Sequence, residues 1–378
     1  MIVNIKRQDT KNLESSLAVK LEKILEGVAW LPAVEVMVNP ADYDRAFDLL
    51  AGIGLPRGNR IELWVECKDM PKPSRFPYVS LENRFRKDGS KTVRVPTLAA
   101  PYISPRMAEM CEKHGWSWFD LAGNCRITVP ELLHIERTGN KPVHSRPKRE
   151  GANLSTHESA RILRVLLAPE HAGRRWTQRE LQDACEPKVS LGKVNTLVSY
   201  LREQAYLLDQ KGGGLRMHDY EGLLKEWREV YAYQEHRQLN CFSLSDQKSI
   251  FKKLAELGAA SSAQGMPASL ASFTAADELA PHVRQSRLWL YVRARDTREI
   301  QKLLEAKEVD SGANLILLEA ADEGVFESIH IGNEGVPTTS ALQSYLDLWH
   351  AGGRGEEAAT AILNQCLKPA WEKGQQEE

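Results

Sequence analysis

Residues 154–217 constrain this chain most. Ile162, Leu163, Val165, Leu166 and Leu167 mark one apolar helix. Thr177-Gln-Arg-Glu180 is a capping box. The Thr hydroxyl accepts from the third helical amide, and the Glu carboxylate reaches back to the cap's own amide. The short helix it starts ends near Cys185. A five-residue turn, Glu186-Pro-Lys-Val-Ser190, follows. Ser190 then caps a second helix that turns Val194, Leu197, Val198 and Leu201 inward. Tyr206-Leu-Leu-Asp-Gln210 and Leu215-Arg-Met217 read as short strands around the tip Lys211-Gly-Gly-Gly214.

Three helices followed by a hairpin, in this order and at these lengths, describe a winged helix-turn-helix over 154–219. Its second helix offers Lys193, Asn195, Thr196, Ser199, Tyr200 and Arg202 on the polar side. Asn and Arg can read base edges; Lys, Thr, Ser and Tyr suit phosphates. Arg174, Arg175 and Lys188 flank that helix, and Lys211 and Arg216 sit on the wing. Charge points the same way. From Arg137 to Arg175 nine Lys/Arg stand against three Asp/Glu, and from Asp296 to Gly335 ten acids stand against three bases. A basic middle seeks a polyanion, so double-stranded DNA is the expected partner. The competing reading is a protein-contact module whose polar face is merely solvated.

The first block, 1–141, opens with a helical pattern at Leu13, Leu17, Leu21, Ile24 and Leu25. Strand-like segments follow at 33–38, 47–53 and 60–67, and a Gly/Pro/Asn cluster, Gly54-Leu-Pro-Arg-Gly-Asn59, separates the last two. Ser104-Pro105 is a cap with Pro at the first helical position. The block is therefore α/β or α+β. Residues 142–153 are basic and contain Pro and Gly without apolar periodicity, which is the composition of a linker. The third block, 220–378, mixes strand-like 287–292 and 314–318 with a helix over 341–350. A Gly352-Gly-Arg-Gly355 break precedes a last helix.

With 378 residues, two or three domains are expected. No run of about 18 apolar residues is present, and the first residues lack the apolar stretch of a secretory signal, so a cytoplasmic protein is expected. The six Cys lack zinc-site spacing and read as small core residues. Trp116, Trp118 and Phe119 read as core rather than base-stacking residues, and His330 and His350 as surface residues. Asp322, Glu323 and Asp347 read as structural rather than as metal ligands, and Arg354 as a turn residue able to meet an anion.

Within the first block, Asp48 and Trp64-Val-Glu66-Cys-Lys68 carry the sharpest chemistry. Strand alternation sends Glu66 and Lys68 to one face and Ile61, Leu63, Val65 and Cys67 to the other. A hairpin can bring Asp48 beside Glu66, giving oxygen donors of the kind Mg²⁺ takes. This arrangement resembles the PD-(D/E)XK core of restriction-endonuclease-like proteins. The resemblance implies that Asp48 and Glu66 bind the metal and that Lys68 positions the attacking water, with Glu14 or Glu22 as a further helix carboxylate. Phe47 stands where Pro often precedes the first acid. The same domain without cleavage would serve as a platform for DNA or protein.

A second resemblance covers more of the chain. Ala100-Pro-Tyr-Ile-Ser-Pro105 with Phe119-Asp-Leu-Ala-Gly-Asn124 is similar to the end of the nuclease-like domain of AbiEi-like proteins. Ser311-Gly-Ala-Asn314, Asp322-Glu-Gly-Val-Phe326, Ser344-Tyr-Leu-Asp-Leu348 and Gly353-Arg-Gly355 resemble their C-terminal region. The resemblance implies a type IV toxin–antitoxin antitoxin and transcriptional regulator. Its winged helix would bind repeats in its own promoter. Its C-terminal α/β domain would counteract a nucleotidyltransferase-type toxin, generally without a stable complex. The Pro-containing stretch 69–94 departs from the helix that the nuclease-like layout implies, and reads as a DNA-facing loop. The alternative function is a metal-dependent nuclease targeted by the winged helix.

Overall fold

The computed structural model describes residues 2–376 apart from 32–33, 41–46, 56–59, 77–91, 143–151, 262–264, 284 and 333, and describes side chains from residue 12 onward. It is a mixed α/β chain of two compact units, Met1–Arg149 and Glu150–Glu378. Among the described residues no helix is long and apolar enough to cross a membrane.

The first unit runs α1 (Ile2–Glu26), β1 (Val34–Val38), β2 (Leu49–Gly54), β3 (Arg60–Cys67), β4 (Thr92–Ala100), α2 (Pro105–Lys113), β5 (Ser117–Asp120), β6 (Cys125–Val129) and β7 (Leu133–Arg137). The seven strands form one sheet in sequence order. β3 pairs parallel with β4, and β4 with β5, while the other pairs are antiparallel. The period-two pattern of β3 sets its two faces. Ile61, Leu63 and Val65 are fully buried in one cluster with Leu17, Leu21, Ile24 and Leu25 of α1. Each such side chain stabilises the fold by about 1.5–3 kcal/mol relative to exposure. The opposite face carries Leu98, Ala100 and Trp118 beneath Met107, Met110 and Cys111 of α2. Ser104 caps α2 by accepting from the Met107 amide at 3.2 Å, with Pro105 at the first position.

The Phe119–Asn124 motif has a structural task. Asp120 is fully buried and accepts from the Asn124 amide at 2.9 Å, the Asn124 side chain at 2.9 Å and the Ile103 amide at 3.3 Å. Asn124 in turn holds the backbone of Asn140 at both its N–H and its carbonyl. One turn thereby ties together β5, β6, the entry to α2 and the chain leaving the sheet. Of the stretch read as a loop over 69–94, residues 77–91 lie outside the described residues. Its described start holds only a short turn of helix, Pro73–Arg75, and its end is already strand β4. The expected linker 142–153 lies mostly outside the described residues as well.

The second unit opens with α3 (His157–Leu167), β8 (Arg175–Trp176), α4 (Gln178–Ala184), α5 (Leu191–Glu203), β9 (Leu207–Asp209) and β10 (Leu215–Met217). The three short strands form an antiparallel sheet in the order β8-β10-β9. Both expected caps are present. Thr177 and Glu180 make the reciprocal capping box at 3.2 and 2.7 Å, and Ser190 accepts from the Lys193 amide at 3.2 Å. At the tip between β9 and β10, Gly212, Gly213 and Gly214 all take positive φ, which only glycine adopts without strain.

The chain continues as α6 (Tyr220–Val230), β11 (Arg237–Ser243), α7 (Gln247–Ala259), β12 (Ala268–Leu270), α8 (Ser272–Leu279), β13 (Leu288–Val292), α9 (Thr297–Leu303), β14 (Ala306–Glu308), β15 (Leu315–Glu319), β16 (His330–Ile331) and β17 (Pro337–Thr338). It ends with α10 (Ala341–His350), α11 (Gly355–Ile362) and α12 (Lys368–Gln376). These strands form a second seven-stranded sheet, order β14-β11-β15-β13-β12-β17-β16. Leu239, Leu290, Val292, Leu315 and Leu317 pack on one face with Ile250 and Leu254 of α7 and Ile300 of α9. Trp289, Tyr291, Ile316 and Leu318 occupy the other face with residues of α8, α10 and α11.

The sequence divides this unit near residue 219, whereas the structure gives one core across that point. Ile162, Leu166, Leu197 and Leu201 share a single apolar cluster with Tyr291, Leu346, Ile362 and Trp371. Trp371 of α12 donates to the Leu167 carbonyl at 2.9 Å and stacks on Tyr220.

Candidate nucleic-acid interface

α5 is held from beneath by Val194, Leu197, Val198 and Leu201, all fully buried. This fixes which side faces outward. Asn195, Thr196, Ser199 and Arg202 are exposed on that side, and Lys193 and Tyr200 are half-buried. Arg174, Arg175, Lys188 and Lys211 are exposed as well. Several of these candidates already have partners. Lys188 donates to the Asp183 carbonyl at 2.6 Å and pairs with Glu186 at 3.1 Å. Arg202 pairs with Asp209 across the start of the ribbon. The Tyr200 hydroxyl donates to Glu226 of α6. Arg216 turns away from the tip and donates to the Gly374 and Gln375 carbonyls at 3.1 and 3.4 Å. Thr196 donates to the Gly192 carbonyl at 3.0 Å.

Arg174 lies over the Trp176 ring, 4.0 Å from its centre, which holds its guanidinium beside β8. Arg175, Lys193 and Lys211 have no ion-pair partner among the described residues. Sequence reasoning passed over Gln178 and Arg179, the first two residues of α4. Arg179 is exposed, and Gln178 donates to Asn195 Oδ1 at 3.2 Å. The capping box itself was the available signal, because it sets these two side chains at the start of the helix that crosses α5.

The basic middle is partly neutralised inside the protein. Arg161 of α3 grips Asp322 with two nitrogens. Arg164 is buried and donates to Gln343 Oε1 of α10 at 3.0 and 2.8 Å. Gln343 donates onward to the Tyr231 hydroxyl at 2.8 Å and to Asp347 Oδ1 at 2.7 Å, and the Tyr291 hydroxyl also donates to Asp347 Oδ1 at 2.8 Å. Burial pushes Asp347 up to about 7 and lowers His236 to about 4. His236 is therefore neutral at physiological pH. Its Nδ1 accepts from the Ala321 amide at 3.1 Å, so Nε2 carries the proton toward the Tyr231 oxygen at 3.0 Å. His350, read as a surface residue, is instead half-buried. It stacks on Tyr233 and bonds the Arg228 carbonyl at 2.8 Å. Arg354 is held by Glu357 at 2.7 Å.

In the first unit, Asp48 accepts from the Cys67 amide at 2.7 Å while its own amide donates to the Val65 carbonyl at 2.9 Å. Glu66 and Lys68 pair at 2.6 Å on the same side of the strand. Glu14 of α1 is buried and accepts from Asn39 at 2.8 Å, whereas Glu22 is half-buried farther along the helix. Glu14, Asp48, Glu66 and Lys68 all act electrostatically on the Cys67 thiol. Burial first, then Asp48 and Glu14, push that thiol well above its usual range. Glu14, Asp48 and Glu66 each have a protein donor or cation as partner. Among the described residues no three His, Cys, Asp or Glu gather to hold a metal ion.

Residues 216–368 match the model of a family described as "Transcriptional regulator, AbiEi antitoxin, Type IV TA system". The AbiEi-like region starts at Arg216, inside the three-stranded sheet, and runs to the first residue of α12. The C-terminal motifs at 311–314, 322–326, 344–348 and 353–355 all fall within it. The motifs at 100–105 and 119–124 lie outside it. No curated protein and no solved structure matches the chain.

Proposed function

We propose that the chain is a DNA-binding transcriptional regulator of the type IV toxin–antitoxin kind. Residues 154–219 act as a winged helix-turn-helix, with α5 laid toward the major groove and the β9–β10 ribbon as the wing. It represses its own operon, and its C-terminal α/β region counteracts a nucleotidyltransferase-type toxin. The observation that carries this reading is the continuity of the AbiEi-like region with the three helices before it. The match begins on the ribbon, and the outward side of α5 remains open beside Arg175 and Lys193. A helix held by a buried face and offering Asn, Thr, Ser and Lys outward suits phosphate positioning with base-edge readout.

The test is a gel shift of the full chain on the DNA upstream of its own gene, over a range of salt. Arg175→Ala with Lys193→Ala should weaken binding and flatten the slope of log K against log salt by about two units, one per lost phosphate contact. Unchanged affinity and slope overturn the interface. The antitoxin part is tested by co-expression with a nucleotidyltransferase from the same operon. Restored growth supports it, and growth that stays arrested overturns it.

The second reading, a Mg²⁺-dependent PD-(D/E)XK nuclease, draws its support from Glu14, Asp48, Glu66 and Lys68 all lying within electrostatic reach of the Cys67 thiol. Plasmid incubated with Mg²⁺ or Mn²⁺ should then be cut by the wild type and spared by Glu66→Ala. Intact plasmid in both, or cutting by both, removes this reading and leaves the first unit as a platform.

A further inference from the structure

Asn195 sits in the first half of α5, the part of such a helix that meets base edges. It is exposed, while its neighbour Val194 is fully buried, so its backbone position is set by the core. An exposed Asn amide can ordinarily turn end for end, exchanging donor and acceptor. A hydrogen bond from a neighbouring helix biases that choice. Gln178, the first residue of α4, donates from Nε2 to Asn195 Oδ1 at 3.2 Å. The carbonyl end of Asn195 therefore lies toward α4, and Nδ2 lies on the other side. A carbonyl oxygen has two lone pairs, so Oδ1 can still accept once more while Nδ2 donates. In the major groove adenine presents an acceptor, N7, beside a donor, the N6 amino group. Guanine presents two acceptors, and each pyrimidine offers only a single polar group of one kind.

We propose that Gln178 and Asn195 form a base-reading couple for adenine, with Asn195 making the contact and Gln178 acting as the positioning residue that fixes its orientation. This rests on the DNA-binding reading above and adds to it the identity of one base and the role of Gln178. Arg175 and Lys193 supply attraction that ignores sequence; the amide couple supplies discrimination at one base position.

The experiment is selection from a randomised duplex library with the full chain, followed by anisotropy titrations on the selected duplex and its single-base variants at two salt concentrations. The wild type should enrich adenine at one position. Asn195→Ala should lose about tenfold or more of the discrimination there, as expected for a lost bidentate contact. Gln178→Ala should lose about fivefold at the same base pair only, as for one net hydrogen bond. Gln178→Glu replaces the donor with an acceptor, turns the Asn195 amide round, and should discriminate less than Gln178→Ala. Asn195→Ala and Gln178→Ala should keep the wild-type salt slope, because neither changes a charge or removes a phosphate contact. A Gln178→Ala protein with wild-type discrimination at the Asn195-dependent position overturns the couple, as does a selected base other than adenine there. A wild type that enriches no sequence overturns the DNA-binding reading itself, and this inference with it.

Discussion

Asp347 lies fully buried on α10, between Gln343 on its own helix and Tyr291 on β13. Its Oδ1 accepts two hydrogen bonds, its Oδ2 has none, and burial raises its pKa from 3.8 to about 7. Asp347→Asn should therefore stabilise the protein at neutral pH and above. Below about pH 4 the carboxyl is protonated in both folded and unfolded chains, and the substitution changes little. As the pH rises from about 4 to about 7, the unfolded chain releases the proton while the folded one keeps it. Wild-type stability then falls by about 1.4 kcal/mol per pH unit, reaching a constant penalty of about 4 kcal/mol above pH 7. An amide retains the accepting oxygen for Tyr291 and Gln343 and removes the charge. The gap between variant and wild type should widen by about 2.6 kcal/mol from pH 5 to pH 8. In melting temperature that is roughly 5–10 °C for a unit of this size. His236 and Glu327, the latter raised by burial to about 8, titrate in the same range but are present in both proteins and cancel in the difference. Calorimetric melts at pH 5, 6.5 and 8 measure it. A gap that stays constant, or that narrows as pH rises, would refute the premise that Asp347 is buried at the cost of its charge.

Trp371→Ala removes a buried indole stacked on Tyr220 and its N–H bond to Leu167, and should destabilise the second unit by about 3–5 kcal/mol, read from the urea midpoint. Thr177→Ala breaks the capping box of α4 and should lower stability by about 1 kcal/mol in the same titration. Gly173 has φ +76°, and a methyl there would meet the backbone of Gly374, so Gly173→Ala should destabilise by at least about 1 kcal/mol and release α12 to proteolysis first. Leu21→Ala should cost about 2–5 kcal/mol in the first unit, followed by the loss of slow hydrogen exchange in β3.

The parts of this chain readable from sequence are those in which one residue acts on its near neighbours. Ser104, Thr177 and Ser190 announced their helices because a cap bonds an amide three residues ahead. The alternation Ile61, Leu63, Val65 announced the buried face of β3 for the same reason. Partnerships across long separations were not readable. Nothing near Arg164 indicates that it enters the core to meet Gln343, 179 positions later, or that Arg216 is held by carbonyls near residue 375. An amphipathic α3 looks the same whether its apolar side meets only α4 and α5 or also α10. For that reason a division near 219 looked natural in the sequence. The pairing of Lys188 and Arg202 with nearby acids was in principle visible as charge spacing, but sequence alone does not tell a bonded cation from an open one.

The single core shared by α3, α5, α10 and α12 governs how the protein can be taken apart. A fragment ending at 219 would leave the Leu167 carbonyl without its Trp371 donor and the apolar side of α3 bare to water. A fragment starting at 220 would lack β10 and the helix that Gln343 meets through Arg164. Neither half should fold stably by itself. A lesion in 216–368 that loosens α10 or α12 should reach the outward side of α5 as a loss of folding rather than as a changed contact, so variants of the two regions will be hard to sort by phenotype alone.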